Sequence, residues 1–411
     1  MKKGFLLLLC ILSVLVLAAC NQPQQPADET DATETTDAAA TETPETTTAA
    51  ETEKAEPNVF KAPTVEEARK IVLDYSRQMA AVKWIAKSDM DFSKEKSYTS
   101  KLKYKAGETY YGMPYISSRD CMEQLELALD ASGVYIGPIT YDKAIGNSCA
   151  SSIRVSFDNV STKLQASGSH DFIPMANKGI VKVGDYTWDP VSDATKYDSS
   201  VAVKKNGEQV ICQAYAKLVP GDTISARWPN GSAYNGHARL ISGETKVVLK
   251  PNGEINPARS YVTIIEQNSS FDATSKVNTT WKVDQIYTFA SLLEKGYLPG
   301  TLEEFTTGEF EDGRIDFKNI TEPQKIFEND YLSGTVTSNY YLFKVKASIF
   351  DSSGKEVSSV TYAPHQKEVK MGGRSFQPSL KTLPADTYRL VITAKIGLGE
   401  YVYCDTEVTK K

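Results

Sequence analysis

From Asn21 to Pro57 the chain consists almost entirely of Thr, Ala, Glu, Gln and Pro. A segment so poor in large apolar side chains cannot bury enough surface to offset its chain entropy, so it is expected to be a disordered tether. Any packed core must therefore come after it. About 350 residues remain there, more than one ordinary domain, which suggests two. The tether also carries ten acidic residues against one lysine, so the chain's net charge of −6 is concentrated in it and the body is nearly neutral. A near-neutral body does not offer the basic face that nucleic acid requires, and no nucleic-acid partner is expected.

Ahead of the tether, Lys2 and Lys3 precede the apolar run Phe5 to Leu17. That run is too short to be a comfortable membrane span and reads as a signal sequence. It ends in Leu17-Ala18-Ala19-Cys20, which resembles the lipobox of bacterial lipoproteins, where the signal peptide is cut before a cysteine that carries the lipid. The resemblance implies a signal peptide over residues 1–19 and a lipidated Cys20 at the head of a 20–57 tether. The membrane contact would then be through a lipid anchor only, on the outer face of the cell membrane. An ordinary cleavable secretory signal is the plainer alternative. A tether of this length spans roughly 30 to 35 Å, enough to let the body work in the layer above the membrane.

Within the body, Thr64-Val65-Glu66-Glu67 reads as a capping box, and apolar residues from Val65 to Val82 recur at helical spacing, predicting a helix to about Ala86. Ser117 to Asp120 offer caps for a helix carrying Met122, Leu125 and Leu129, which Gly133 ends. Gly184 to Trp188 read as a surface loop. Asn206 to Gln209 open a helix through Tyr215 that holds Cys212 in the core. Leu218-Val219-Pro220-Gly221-Asp222 turns into a strand from Thr223, followed by strands over 236–242, 246–249 and 261–268. A helix from near Tyr287 is expected to close at Tyr297-Leu298-Pro299-Gly300 and end the first domain. From about Phe327 short strands follow, over 340–349, 357–362, 375–380, 388–394 and 400–408. These readings give an α+β domain over residues 58–312 and a small all-β sandwich of immunoglobulin-like architecture over 325–411.

Four cysteines lie in the body: Cys121, Cys149, Cys212 and Cys404. None has the spacing of a zinc site or a disulfide framework. Cys149 stands out because it opens a predicted helix among small residues, in Gly146-Asn147-Ser148-Cys149-Ala150-Ser151-Ser152-Ile153. A helix N-terminus favours thiolate over thiol and can hold an oxyanion. Cys121, in the first turn of another helix, is its internal rival. A thiol nucleophile needs a base, a group to orient that base, and oxyanion donors. Of the three histidines, His170 lies in a polar loop context and only His237 sits on a predicted strand beside a tight turn. Alternation along the 261–268 strand places Glu266 and Asn268 on one face and Gln267 on the other, so either Glu266 or Asn268 could fix the imidazole tautomer. There is no phosphate-cradling glycine loop and no histidine-rich metal spacing, so no cofactor and no metal are expected. The many tyrosines read as packing residues.

Taken together, Gly146-Asn147-Ser148-Cys149, Leu218 to Asp222, Gly236-His237-Ala238 and Ile265-Glu266-Gln267-Asn268 make the stretch from about residue 100 to 300 similar to the NlpC-type peptidases and CHAP amidases of bacterial cell walls. The resemblance implies a papain-like fold, with the cysteine at a helix start, the histidine on a strand and a polar partner on the next strand. It implies Cys149 as nucleophile and His237 as general base and later acid. Glu266 matches the orienting acid of the CHAP pattern and Asn268 its neighbouring amide. Tyr115, in Gly112-Met113-Pro114-Tyr115, looks like the tyrosine that precedes the nucleophile and lines the oxyanion region. Ser148 stands where an aspartate is common. The implied activity is cleavage of an amide in the peptide stems of peptidoglycan, the expected partner. The choice between a stem endopeptidase and a muramoyl-alanine amidase stays open. The alternative is a non-catalytic binding or adhesion lipoprotein that keeps the fold.

Overall fold

The computed structural model describes residues 58–95, 99 and 101–411. The expected signal peptide, the lipidated Cys20 and the tether lie outside the described residues. No described helix is long and apolar enough to cross a membrane.

Thr64 caps the helix Val65–Ala81: its hydroxyl accepts from the Glu67 backbone N–H, and the Glu67 carboxylate accepts from the Thr64 N–H. The helix ends earlier than its apolar period suggests. Residues Lys83–Ala86 instead form a strand, antiparallel to Thr109–Tyr111 and parallel to Val134–Tyr135, with Trp84 and Ala86 buried. Both helical and extended periods accommodate those residues, and strand pairing decides between them.

The largest element is a six-stranded antiparallel sheet. Its spatial order is Trp281–Thr288, Tyr261–Gln267, Ala233–Ile241, Thr223–Asn230, Leu298–Leu302 and Ile180–Lys182. The helices Val65–Ala81 and Cys149–Phe157 share a core with Ala238, Leu240 and Ile265 of this sheet. Its other face, through Ile224, Ile241, Val262 and Ile264, packs on the helices Ser199–Asn206, Glu208–Tyr215 and Phe289–Glu294. The sheet is thus covered on both sides by separate cores, and strand alternation assigns each side chain to one of them.

Several sequence expectations are corrected here. Leu298–Leu302 is a buried interior strand, preceded by the short helix Phe289–Glu294, so the Pro-Gly pair terminates nothing. Pro299 is tolerated because its carbonyl does the bonding, accepting from Val183 N–H and the Tyr186 hydroxyl. That second bond also buries Tyr186, which the sequence places near a surface. Residues 246–249 make only isolated bridges, at Lys246–Tyr261 and Leu249–Ile255.

The C-terminal region holds two four-stranded antiparallel sheets around a second core. One is ordered Val59–Phe60, Gly313–Lys318, Gly334–Leu342 and Gln366–Met371; the other is Glu356–Tyr362, Lys344–Phe350, Thr387–Ile396 and Gly399–Thr409. The expected strand over 340–349 is therefore two strands in different sheets, with buried Phe343 at the crossing. No strand forms over 375–380; Gln366–Met371, a charged edge strand, and Gly313–Lys318 are strands that the sequence reading missed. Val59–Phe60 and Gly313–Lys318 both belong to the first of these sheets.

The two regions pack as one compact unit. Tyr75 meets Phe343 with ring centroids 5.4 Å apart, and Lys395 Nζ lies 2.8 Å from the buried Glu123 Oε1. Gly397 touches the Asn159 backbone, just past the helix Cys149–Phe157, so closely that a Cβ there would lie 2.1 Å from the Asn159 oxygen.

Candidate active site

The helix Cys149–Phe157 begins where Ser148 caps it, the Ser148 hydroxyl accepting from Ser151 N–H while the Ser151 hydroxyl accepts from Ser148 N–H. All nine of its residues are buried. Ala150, Ser151 and Ser152 are small enough to let the first turn approach the sheet, and the Ser152 and Ser156 hydroxyls bond carbonyls of their own helix. Ser148 thus caps the helix through its own side chain.

The strand Ala233–Ile241 supplies the partner. Its registered pairing with Tyr261–Gln267 consists of Ile264–Ile241 and Ile265–Leu240. Beyond Leu240 the backbones separate, and the Ala238 N–H donates to the Cys149 sulfur instead of to the neighbouring strand. His237 follows, hydrogen-bonded to the same sulfur. Its Nε2 lies 2.7 Å from Glu266 Oε2, which leaves Nδ1 as the ring nitrogen that meets the thiol. Tyr115 Oη donates to the sulfur at 4.0 Å.

Tyr115 reaches the cysteine although a helix separates them in sequence. Asn147 N–H donates to Pro114 O at 2.9 Å, and Ile116 N–H donates to Asn147 O at 2.9 Å. Gly146 lies against this segment, and a Cβ there would sit 2.2 Å from Pro114 O. Gly112 is needed for another reason: at φ +78° its ideal Cβ would lie 2.2 Å from Trp281 Cδ1. Trp281 Nε1 and Gln267 Nε2 both donate to Met113 O, pinning the tyrosine segment to the sheet.

The electrostatics follow from these contacts. Burial opposes charge on the Cys149 thiol, but the charge and hydrogen bond of His237, the Ala238 N–H and the Tyr115 hydroxyl outweigh it, and the thiol pKa is lowered. Burial likewise opposes the imidazolium, yet the Cys149 sulfur and then Glu266 raise His237 to about 9. Desolvation alone would raise Glu266; the bond and charge of His237, then Arg239, then the Tyr287 hydroxyl hold its carboxyl far below the ordinary range. These contacts favour the thiolate–imidazolium form of the pair, backed by a carboxylate, over what burial alone would allow.

Of the sequence candidates, Cys149, His237, Glu266 and Tyr115 converge. Glu266 makes the contact to His237. Asn268 lines the same cleft, with its backbone N–H bonded to Thr280 O and its Nδ2 buried without a partner among the described residues. Cys121 is elsewhere: it precedes the helix Met122–Leu127, its N–H donates to Gln124 Oε1, and burial beside Glu123 pushes its thiol up. Burial also pushes the Cys212 thiol up, to about 12, and raises Cys404. All four are free thiols. His170 stays in its loop, with Nε2 3.3 Å from Asp171 Oδ1. Among the described residues no cluster of His, Cys, Asp and Glu could hold a metal.

Sequence reading missed Arg239 and Tyr287. Arg239 Nε donates to Glu266 Oε2 at 2.7 Å and Tyr287 Oη to Glu266 Oε1 at 2.6 Å. The period-2 signal that puts Arg239 on the face of His237 was present; Tyr287 was hidden by the expected helix, where a strand runs to Thr288.

The site opens into a cleft of about 860 Å³, between the Trp228–Tyr234 end of the histidine strand hairpin and the segments holding Asp198 and Glu294. No family model matches the chain, and no curated protein matches it.

Proposed function

We propose that the protein is a papain-like thiol hydrolase of the NlpC or CHAP type that cuts an amide bond in the peptide stems of peptidoglycan. The observation that carries this reading is the line Cys149–His237–Glu266 at the wall of a cleft large enough for a peptide. A cysteine helix lying on an antiparallel sheet, with the base on one strand and its orienting acid on the next, supports the papain-like assignment.

In this mechanism the Cys149 thiolate attacks the scissile carbonyl carbon and forms the tetrahedral oxyanion. The Cys149 N–H, in a first helical turn that has no intrahelical acceptor, and the Tyr115 hydroxyl stabilise that oxygen. As the C–N bond breaks, His237 gives its proton to the departing amine and leaves a thioester on Cys149. His237, now neutral, takes a proton from water, which attacks the thioester and releases the acid. Glu266 stays ionised and holds the ring in place. A lipid on Cys20 and the following tether would present this site to the wall, with the C-terminal sheets as its rigid support.

The test is to incubate the protein and its Cys149→Ala variant with peptidoglycan and identify released fragments by mass spectrometry. New amine and carboxyl ends from the native protein alone are the expected result, and their chemistry separates endopeptidase from amidase. Identical products from both proteins would rule out the thiol mechanism. No products from either would favour a binding lipoprotein.

A further inference from the structure

One tyrosine of the cleft, Tyr297, takes no part in the thiol chemistry. We propose that it is a substrate-binding residue, whose hydroxyl donates a hydrogen bond to the peptide carbonyl on the leaving-amine side of the scissile bond. The inference rests on the thiol-hydrolase reading for the direction in which the peptide runs.

Strand register brings Tyr297 to the site. It comes one residue before Leu298, which pairs with Ser225, and the adjoining strand pairs Ala226 with His237. Tyr297 therefore stands level with His237, two strands or about 10 Å away, with only the small Ala226 side chain between them. Its backbone is fixed: the N–H donates to Leu292 O at 3.0 Å, and the carbonyl accepts from the Tyr215 hydroxyl at 2.5 Å. The ring is fixed as well, because Arg239 Cζ lies 4.3 Å from its centroid and 3.9 Å from that of Tyr287.

Only 3% of Tyr297 is exposed, yet it lines the cleft. Its hydroxyl has no hydrogen-bond partner among the described residues, and the oxygen is not sealed from solvent. Buried hydroxyls are ordinarily paired within the fold; this one is left for whatever enters the cleft. Burial raises its pKa; Arg239 opposes that, while Glu266 and the Cys149 sulfur add to it. The phenol therefore keeps its proton and acts as a donor. The oxyanion belongs to the Cys149 N–H and Tyr115, at the start of the cysteine helix. Tyr297 stands instead on the sheet that carries His237, where the departing amine must lie to receive its proton. A peptide offers an acceptor there, the carbonyl of the residue that carries this amine.

The binding probe is a disaccharide stem peptide prepared by muramidase digestion of peptidoglycan. It is titrated calorimetrically into Cys149→Ala protein with and without Tyr297→Phe. Phenylalanine keeps the ring on Arg239, so melting temperatures should agree, while affinity is expected to fall about 10-fold. Turnover is compared on two substrates that share the acyl half identified from fragment masses. One is the peptide; the other is a p-nitroanilide, which has no carbonyl beyond the departing nitrogen. Tyr297→Phe should lower kcat/KM about 10-fold on the peptide and leave the anilide unchanged, with the basic limb of the pH profile in place. Equal affinity of the two proteins, absence of binding to either, or equal loss on peptide and anilide would overturn the proposal. A displaced basic limb would also overturn it, by showing that the hydroxyl acts through Arg239 and Glu266 on His237. Binding that depends on Tyr297 without turnover would remove the hydrolase and leave the hydrogen bond; turnover indifferent to Tyr297 would do the reverse.

Discussion

His237 Nε2 lies 2.7 Å from Glu266 Oε2, and this contact decides which ring nitrogen serves Cys149. Glu266→Gln keeps the shape and removes the charge. On the hydrolase reading kcat/KM should fall on the order of 100-fold. The sign of the pH effect follows from the raised imidazolium. The Cys149 sulfur and then the Glu266 carboxylate hold His237 at about 9, so loss of the Glu266 charge moves the basic limb of the pH profile of kcat/KM to lower pH. An unmoved basic limb would mean that Glu266 does not sustain the charged ring.

Tyr115→Phe removes one hydroxyl near the sulfur and leaves the aromatic packing. A loss of about 10- to 100-fold in kcat with little change in KM is expected for a donor that acts mainly in the transition state. A rise in KM at constant kcat would place Tyr115 in substrate binding instead.

Gly146 and the Pro114 carbonyl set the distance between the tyrosine segment and the cysteine helix. Gly146→Ala puts a methyl 2.2 Å from that oxygen, an overpacking expected to cost about 1–3 kcal/mol. Thermal unfolding should show the loss of stability, together with slower alkylation of Cys149. Unchanged values for both would mean that the segments separate freely.

Glu123 is buried, with Tyr75 Oη at 2.9 Å on one oxygen and Lys395 Nζ at 2.8 Å on the other. Lys395→Met would strip a carboxylate of its cation. Because the lysine side chain is 37% exposed, water compensates in part, and a loss of about 1–3 kcal/mol is expected. Calorimetry should also show a single transition, since this pair and Tyr75–Phe343 join the two cores. Two separate transitions in the native protein would contradict that coupling.

The legible parts of this chain are those set by local rules. Thr64 announces a helix start through its cap, the small residues around Cys149 announce another, and alternation puts Glu266 on the face that meets His237. What sequence did not reveal depends on pairing partners distant in the chain. Leu298–Leu302 looks like a helix stop because of Pro299 and Gly300, yet flanking strands make it interior. Phe343 looks like mid-strand, but its backbone N–H bonds Lys395 O at a crossing between sheets. Tyr115 and Cys149 are joined by the Pro114–Asn147 contact, which no spacing rule encodes. Arg239 reads as an ordinary strand charge until Tyr287 and Tyr297 are seen around it.

The central claim is that His237 maintains Cys149 as a thiolate. The most direct measurement is the rate of iodoacetamide modification at each cysteine from pH 5 to 10, in the native protein and in His237→Gln. The expected result is selective modification of Cys149 that sets in at lower pH than for an ordinary thiol, with Cys121, Cys212 and Cys404 slow, and a shift of that onset to higher pH in the variant. Modification of Cys149 that follows an ordinary thiol near pH 8.5 and is indifferent to His237 would contradict it.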